Sequence, residues 1–270
     1  MASFPIAANA RGALQLARET VESWRTPREE IVWGAGEQES VLLLHGLGGT
    51  PRMLHPMRNY LRRELARPAF DLALGVGLGD IRDLAIRVHD ELTRQQVRNC
   101  DLIGYSMGGL VAAYLVKCLD HGRCIRRVVT LGTPHRGVPV LTQWRSLLAR
   151  WWRSTDQMRT GSPFLEQLLR IPPPDGTAIL SIAGGDDTIV PPPYAHLEGA
   201  GYRNLVVPGL DHWTLPTSRR VFRCVKEVLQ AGSGRWPTPH LETVEPSRSR
   251  ARRAAPRPIS LVRSAARTTC

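Results

Sequence analysis

Gly104-Tyr105-Ser106-Met107-Gly108 lies between an apolar run, Cys100 to Ile103, and a small-residue run, Gly109 to Leu119, that reads as a helix. Glycine, any residue, serine, any residue, glycine at a strand-to-helix junction is the nucleophile-elbow pattern. The turn is so tight that the central residue is strained, and side chains at the flanking positions would clash with neighbouring backbone. Glycines at both positions remove that clash, so the serine hydroxyl can project clear of the sheet. The pattern alone is weak. Its weight depends on whether the chain also supplies a base, an acid and an oxyanion site in a workable order.

Outward from this stretch, short apolar runs alternate with longer helical patterns. Strands are predicted at Val41 to Leu44, Phe70 to Gly75, Leu102-Ile103, Val128 to Leu131, Ile179 to Ala183 and Leu205 to Val207. Asp80 can cap a helix with Leu84, Val88 and Leu92 on one face, and Ser218 to Leu229 has a second helical pattern. Leu14, Leu16, Ala17 and Val21 suggest a leading helix. Continuous apolar strands alternating with amphipathic helices indicate an α/β fold, a mostly parallel sheet covered on both faces.

One region breaks the alternation. From Gly137 to Pro174 the chain carries Trp144, Trp151, Trp152, Phe164 and Leu168, with Arg145, Arg150 and Arg153 interleaved among the tryptophans. We read about 138–174 as an insertion of one or two helices over the strand ends, a small cap that contacts substrate. The domain reading is then an N-terminal helical segment at 1–36, an α/β body at 37–234 that includes the insertion, and a tail at 235–270.

A chain of 270 residues, 42% hydrophobic and 22% charged, is long enough for one large α/β domain and reads as globular. No apolar run approaches the length of a membrane span, and Met1 to Ala10 lacks the marks of a secretory signal. Cytoplasmic localisation is the expectation. The five cysteines (100, 118, 124, 224 and 270) are odd in number and lack metal-ligand spacing, so buried free thiols in a reducing compartment fit them best. The net charge is +12, and the tail contributes half of it, with eight arginines against Glu242 and Glu245. Its composition suggests disorder. Weak contact with an anionic surface is conceivable from its charge, specific nucleic-acid binding is not expected, and a solvated tail without a partner is the simpler reading.

Serine needs a base to take its proton. Among eight histidines, His212 follows a predicted strand and the turn Pro208-Gly209-Leu210-Asp211, which puts it on a loop at a strand's C-terminal end. The base needs a buried acceptor to fix its tautomer, and Asp186 or Asp187 could serve by spacing alone. For the oxyanion, the amide of Met107 at the helix start is one donor, and the loop His45-Gly46-Leu47-Gly48-Gly49 offers the amide of Leu47 as the other. His45 is read as a structural hydrogen-bonding residue of that loop.

The segments HGLGG (45–49), GYSMGG (104–109), LGTPHRG (131–137) and GGDDTIVP (184–191), followed by the loop around His212, resemble the α/β-hydrolase superfamily, close to the bacterial triacylglycerol lipases and esterases. The resemblance covers about residues 38 to 230. It implies an α/β-hydrolase fold and a catalytic triad of Ser106, Asp187 and His212, selecting Asp187 over Asp186, with Leu47 and Met107 forming the oxyanion hole. It assigns His135 a structural role, and it implies neither a cofactor nor a metal. The expected activity is hydrolysis of carboxylic esters of acyl chains, with a lipid-like small-molecule substrate. Acyl transfer or thioester hydrolysis by the same triad is the alternative, and a non-catalytic binding protein on a hydrolase fold is a third reading.

Overall fold

A computed structural model describes residues 39–142 and 152–231. The predicted leading helix, the tail, Trp144 and Trp151 lie outside these residues. The described residues form a sheet of six parallel strands in the order β2-β1-β3-β4-β5-β6. The strands are β1 (Ser40–Leu44), β2 (Ala69–Leu72), β3 (Cys100–Tyr105), β4 (Ile125–Leu131), β5 (Ala178–Gly184) and β6 (Tyr202–Val207). Each predicted strand is present, extended or trimmed by a few residues at its ends. A parallel pair needs a crossover connection, and helices fill most of them.

Helices α1 (His55–Leu65) and α8 (Arg219–Gln230) pack together on one face of the sheet. Helices α2 (Ile81–Arg94) and α3 (Met107–Leu115) cover the other. Strand side chains alternate between the layers: Val41, Leu43, Ile103 and Tyr105 point into the α1/α8 core, whereas Leu42, Leu44 and Leu102 point into the α2/α3 core. All four leucines are fully buried, and each such side chain stabilises the fold by about 2 kcal/mol. Asp80 caps α2 as expected, its carboxylate accepting from Arg82 N–H at 2.8 Å.

The 138–174 region supplies α4 (Pro139–Thr142), α5 (Arg153–Gln157) and α6 (Pro163–Arg170). Ser162 caps α6, and Phe164, Leu165 and Leu168 are buried in the α2/α3 core. This part of the insertion therefore packs into the domain, while Trp152 is exposed. Gln157 ties α5 to α2: its amide nitrogen donates to Asp80 Oδ1 at 2.7 Å, and its oxygen accepts from Ile81 N–H at 2.8 Å. Beyond α3 the helix widens into a π turn, Val116–Asp120. Buried Lys117 in that turn donates to Leu168 O at 2.9 Å, satisfying a carbonyl at the C-terminal end of α6. Burial drops the Lys117 pKa to about 8. The remaining short helix is α7 (Pro192–Ala195), after β5. No helix among the described residues is long and apolar enough to cross a membrane.

Candidate active site

In an open parallel sheet, functional side chains gather on loops at the carboxyl ends of the strands. Here β1, β3, β4, β5 and β6 run respectively into His45, Ser106, Gly132, Asp187 and His212.

Ser106 joins β3 to α3 at φ 53° and ψ −122°, a strained conformation for a residue with a side chain. The surroundings hold it there. Its N–H donates to Leu131 O at 2.8 Å, and its carbonyl accepts from Gly109 N–H and Thr133 Oγ, each at 3.0 Å. A Cβ on Gly104 would overlap the Gly109 backbone, and one on Gly108 would overlap the carbonyl of Leu44. The two flanking glycines are thus required by close approach of neighbouring chain.

His212 is buried, with ring nitrogens facing two partners. Nδ1 lies 2.7 Å from Asp187 Oδ2, and Nε2 lies 3.1 Å from Ser106 Oγ. A carboxylate only accepts, so Nδ1 carries the proton and donates. Nε2 is then the acceptor for the Ser106 hydroxyl. The other Asp187 oxygen, Oδ1, accepts from Ile189 N–H at 2.9 Å and Val190 N–H at 2.7 Å, which aims the carboxylate at the ring. Asp186, in contrast, is an exposed residue whose N–H donates to Leu210 O. Ser106 itself is half-buried.

The loop after β1 runs directly beside the serine. A Cβ on Gly46 would sit 3.0 Å from Ser106 Cβ. His45 is buried and bridges two loops: Leu74 N–H donates to its Nε2 at 2.9 Å, so Nδ1 is protonated and donates to Gly46 O at 2.9 Å. Burial lowers its pKa and favours this neutral form. Gly48 N–H adds a bond to Val76 O at 3.0 Å. Leu47 is thereby held between two anchored residues. Met107 is the first residue of α3, where an amide has no intrahelical acceptor.

The segment after β4 has its own logic. Gly132, at φ 54°, leaves room for the His212–Asp187 pair: a Cβ there would stand 3.1 Å from Nδ1 and 3.3 Å from Oδ2. Thr133 holds the Ser106 carbonyl, and His135 Nε2 lies 3.0 Å from Thr130 Oγ. Burial, with Lys117 and Arg136 adding to it, lowers the His135 pKa to about 3. Tyr105 supplies one more tie, its hydroxyl donating to His212 O at 3.0 Å. The sequence assigns no role to Tyr105, Gly132 or Thr133; the signals for them are the adjacency of Tyr105 to Ser106 and the glycine second in LGTPHRG.

The other histidines stand apart. His55 opens α1 beside Asp71, His89 lies within α2, and His121 and His196 are exposed, while His240 is outside the described residues. Cys100 and Cys224 are buried thiols, Cys118 and Cys124 are half-buried, and none of the four is in a disulfide. Among the described residues no cluster of histidine, cysteine and carboxylate side chains has the arrangement of a metal site.

Comparison with known proteins agrees with this architecture. Residues 80–207 match the PGAP1-like alpha/beta domain family. A 118-residue stretch is 31% identical to the palmitoyl-protein thioesterase-dolichyl pyrophosphate phosphatase fusion 1 of Schizosaccharomyces pombe, covering 39% of this chain and 19% of that protein. The match thus spans about a fifth of that relative's length. Among solved structures, the lin2722 product of Listeria innocua superposes with a TM-score of 0.56 at 17% identity, over 72% of this chain and 94% of that one. The mature form of Bacillus licheniformis lipase BlEst2 gives 0.52 at 18% identity, over 70% and 90%. The six-stranded parallel sheet, its helices on both faces and these likenesses assign the chain the α/β-hydrolase fold, with a region similar to the PGAP1-like alpha/beta domain.

Proposed function

We propose that the protein is a serine hydrolase of carboxylic esters of acyl chains, acting through Ser106, His212 and Asp187. The observation that carries this reading is the unbroken row Asp187 Oδ2, His212, Ser106 Oγ, with separations of 2.7 and 3.1 Å, ending on a strained, half-buried serine.

In the proposed reaction His212 Nε2 accepts the Ser106 proton as Oγ attacks the ester carbonyl. Asp187 holds the Nδ1–H tautomer and stabilises the imidazolium that forms. The amides of Leu47 and Met107 receive the developing oxyanion, the second assisted by the positive end of α3. His212 then protonates the leaving alcohol. Water, deprotonated by the same nitrogen, releases the acid and restores Ser106.

Thioester hydrolysis is the second reading, favoured by the partial likeness to a relative named as a palmitoyl-protein thioesterase fusion. The attack on the carbonyl is the same and only the leaving group differs. Turnover of matched p-nitrophenyl esters and acyl thioesters, from acetyl to palmitoyl, separates them: the ester reading predicts the higher kcat/KM on the oxygen series at equal chain length, and a consistent preference for sulfur contradicts it. With either reading we propose the body at 37–234 as the hydrolase unit, with 138–174 as its cap.

A further inference from the structure

The excess positive charge of the described residues falls on two adjacent helices. They hold 22 lysines and arginines against 17 aspartates and glutamates. On α1, Arg58, Arg62 and Arg63 stand against Glu64. On α8, Arg219, Arg220, Arg223 and Lys226 stand against Glu227. These two helices together carry the whole excess of five, and the rest of the described residues sum to zero. On the opposite face α2 is neutral, with Arg82, Arg87 and Arg94 matched by Asp83, Asp90 and Glu91.

Several of these cations are engaged within the domain. Arg58 holds Asp71, Arg62 donates to Ala69 O, Arg220 donates to Pro208 O and Lys226 pairs with Glu64. Arg63, Arg219 and Arg223 are exposed and have no carboxylate partner among the described residues. Because α1 and α8 pack side by side, with Tyr60 against Phe222, their exposed cations lie on neighbouring helices of one layer, where they outnumber Glu64 and Glu227. The sequence extends this charge: beyond Gln230, where α8 ends, come eight arginines and two glutamates before Cys270.

We propose that the α1/α8 face is a docking surface for an anionic lipid bilayer. A basic face of two adjacent helix cylinders matches a flat array of anionic headgroups, which attracts each nearby arginine by about 1 kcal/mol, or roughly fivefold in partitioning. The face lacks the exposed aromatic side chains that stack on nucleic-acid bases, since Tyr60 is half-buried against Phe222. It also begins beside the candidate site: Arg219 opens α8 shortly after His212, and Arg52 lies in the turn after the Gly46–Gly49 loop. Docking would hold the mouth of the site close to the headgroups. The choice of a bilayer over another polyanion rests on the acyl-ester reading, whereas the charge asymmetry does not.

The test is co-sedimentation of the full chain with vesicles of phosphatidylcholine alone or mixed with phosphatidylserine, at low and high salt. Binding should require phosphatidylserine and weaken as salt rises. The triple variant R63E/R219E/R223E, with the tail intact, should bind at least tenfold more weakly while keeping wild-type circular dichroism and p-nitrophenyl butyrate turnover. Arg87→Glu on the neutral face should bind as wild type. Undiminished binding by the triple variant overturns the proposal, as does equal binding to neutral vesicles or tighter binding to a DNA duplex at the same salt. Loss of turnover in Ser106→Ala does not enter this readout, so failure of the ester reading and failure of the docking surface are distinguishable.

Discussion

The Tyr105 hydroxyl donates to the main-chain carbonyl of His212 across 3.0 Å, so the residue preceding the serine positions the loop that carries the histidine. The phenol is buried, which pushes its pKa upward and keeps it a neutral donor. The ring also lies 5.2 Å from the His212 ring. Replacement by phenylalanine keeps the packing and removes only the bond. Tyr105→Phe should reduce stability by about 1 kcal/mol and lower kcat by about tenfold with little change in KM. Urea melts and steady-state kinetics measure both, and an unchanged kcat would restrict Tyr105 to a packing role.

The two adjacent aspartates should behave very differently. Asp187→Asn leaves the shape intact but replaces the acceptor that holds His212 in its Nδ1–H form, and turnover should fall by about 10³-fold or more. Asp186→Asn, at an exposed position, should leave turnover essentially unchanged. Kinetics of the two purified variants with one p-nitrophenyl ester check both expectations.

Buried His135 links stability to acid. Its folded pKa is about 3, while the unfolded chain protonates near 6.5. The unfolded state therefore binds the extra proton between those values, and stability falls as pH drops from 6.5 towards 3, by at most about 1.4 kcal/mol per pH unit. The contribution is fully present above pH 6.5. Buried His45, lowered for the same reason, adds in the same direction. Urea midpoints at neutral and mildly acidic pH should show a shallower acid loss in His135→Asn than in wild type.

Gly108 is required by contact. A methyl there meets the Leu44 carbonyl at the end of the interior strand β1, with the His45 carbonyl close by, and this backbone has little room to yield. Gly108→Ala should cost more than about 3 kcal/mol or abolish soluble expression, as expected of forced overlap in a packed interior. Gly75→Ala meets no atom, though its φ of 68° strains the new residue, and should cost only about 1 kcal/mol. Thermal melts compare the two directly.

Much of this architecture was legible because the signals were local. Val41 to Leu44 is uniformly apolar since β1 is buried on both faces, and Asp80 announced α2 because an N-cap acts within one turn. The glycines around Ser106 were legible for the same reason. Asp187 was different: spacing left it equal to Asp186, and only resemblance, then the fold, separated the buried side chain from the exposed one. The ties that cross long stretches of chain left no sequence trace. Gln157 reaching Asp80, Lys117 reaching Leu168 and Tyr105 reaching the His212 carbonyl depend on how distant elements pack. The tryptophan-rich insertion proved to include core helix α6, whose Phe164 and Leu168 are as apolar as any substrate-facing residue.

Ser106 acting as a nucleophile activated by His212 should be labelled covalently by a serine-directed probe. Wild-type protein incubated with a fluorophosphonate probe should gain one adduct, mapped to Ser106 by mass spectrometry. Ser106→Ala should gain none and lose p-nitrophenyl ester turnover while melting cooperatively like the wild type. Undiminished turnover in that folded variant, or an adduct on another serine of the wild type, would contradict the account.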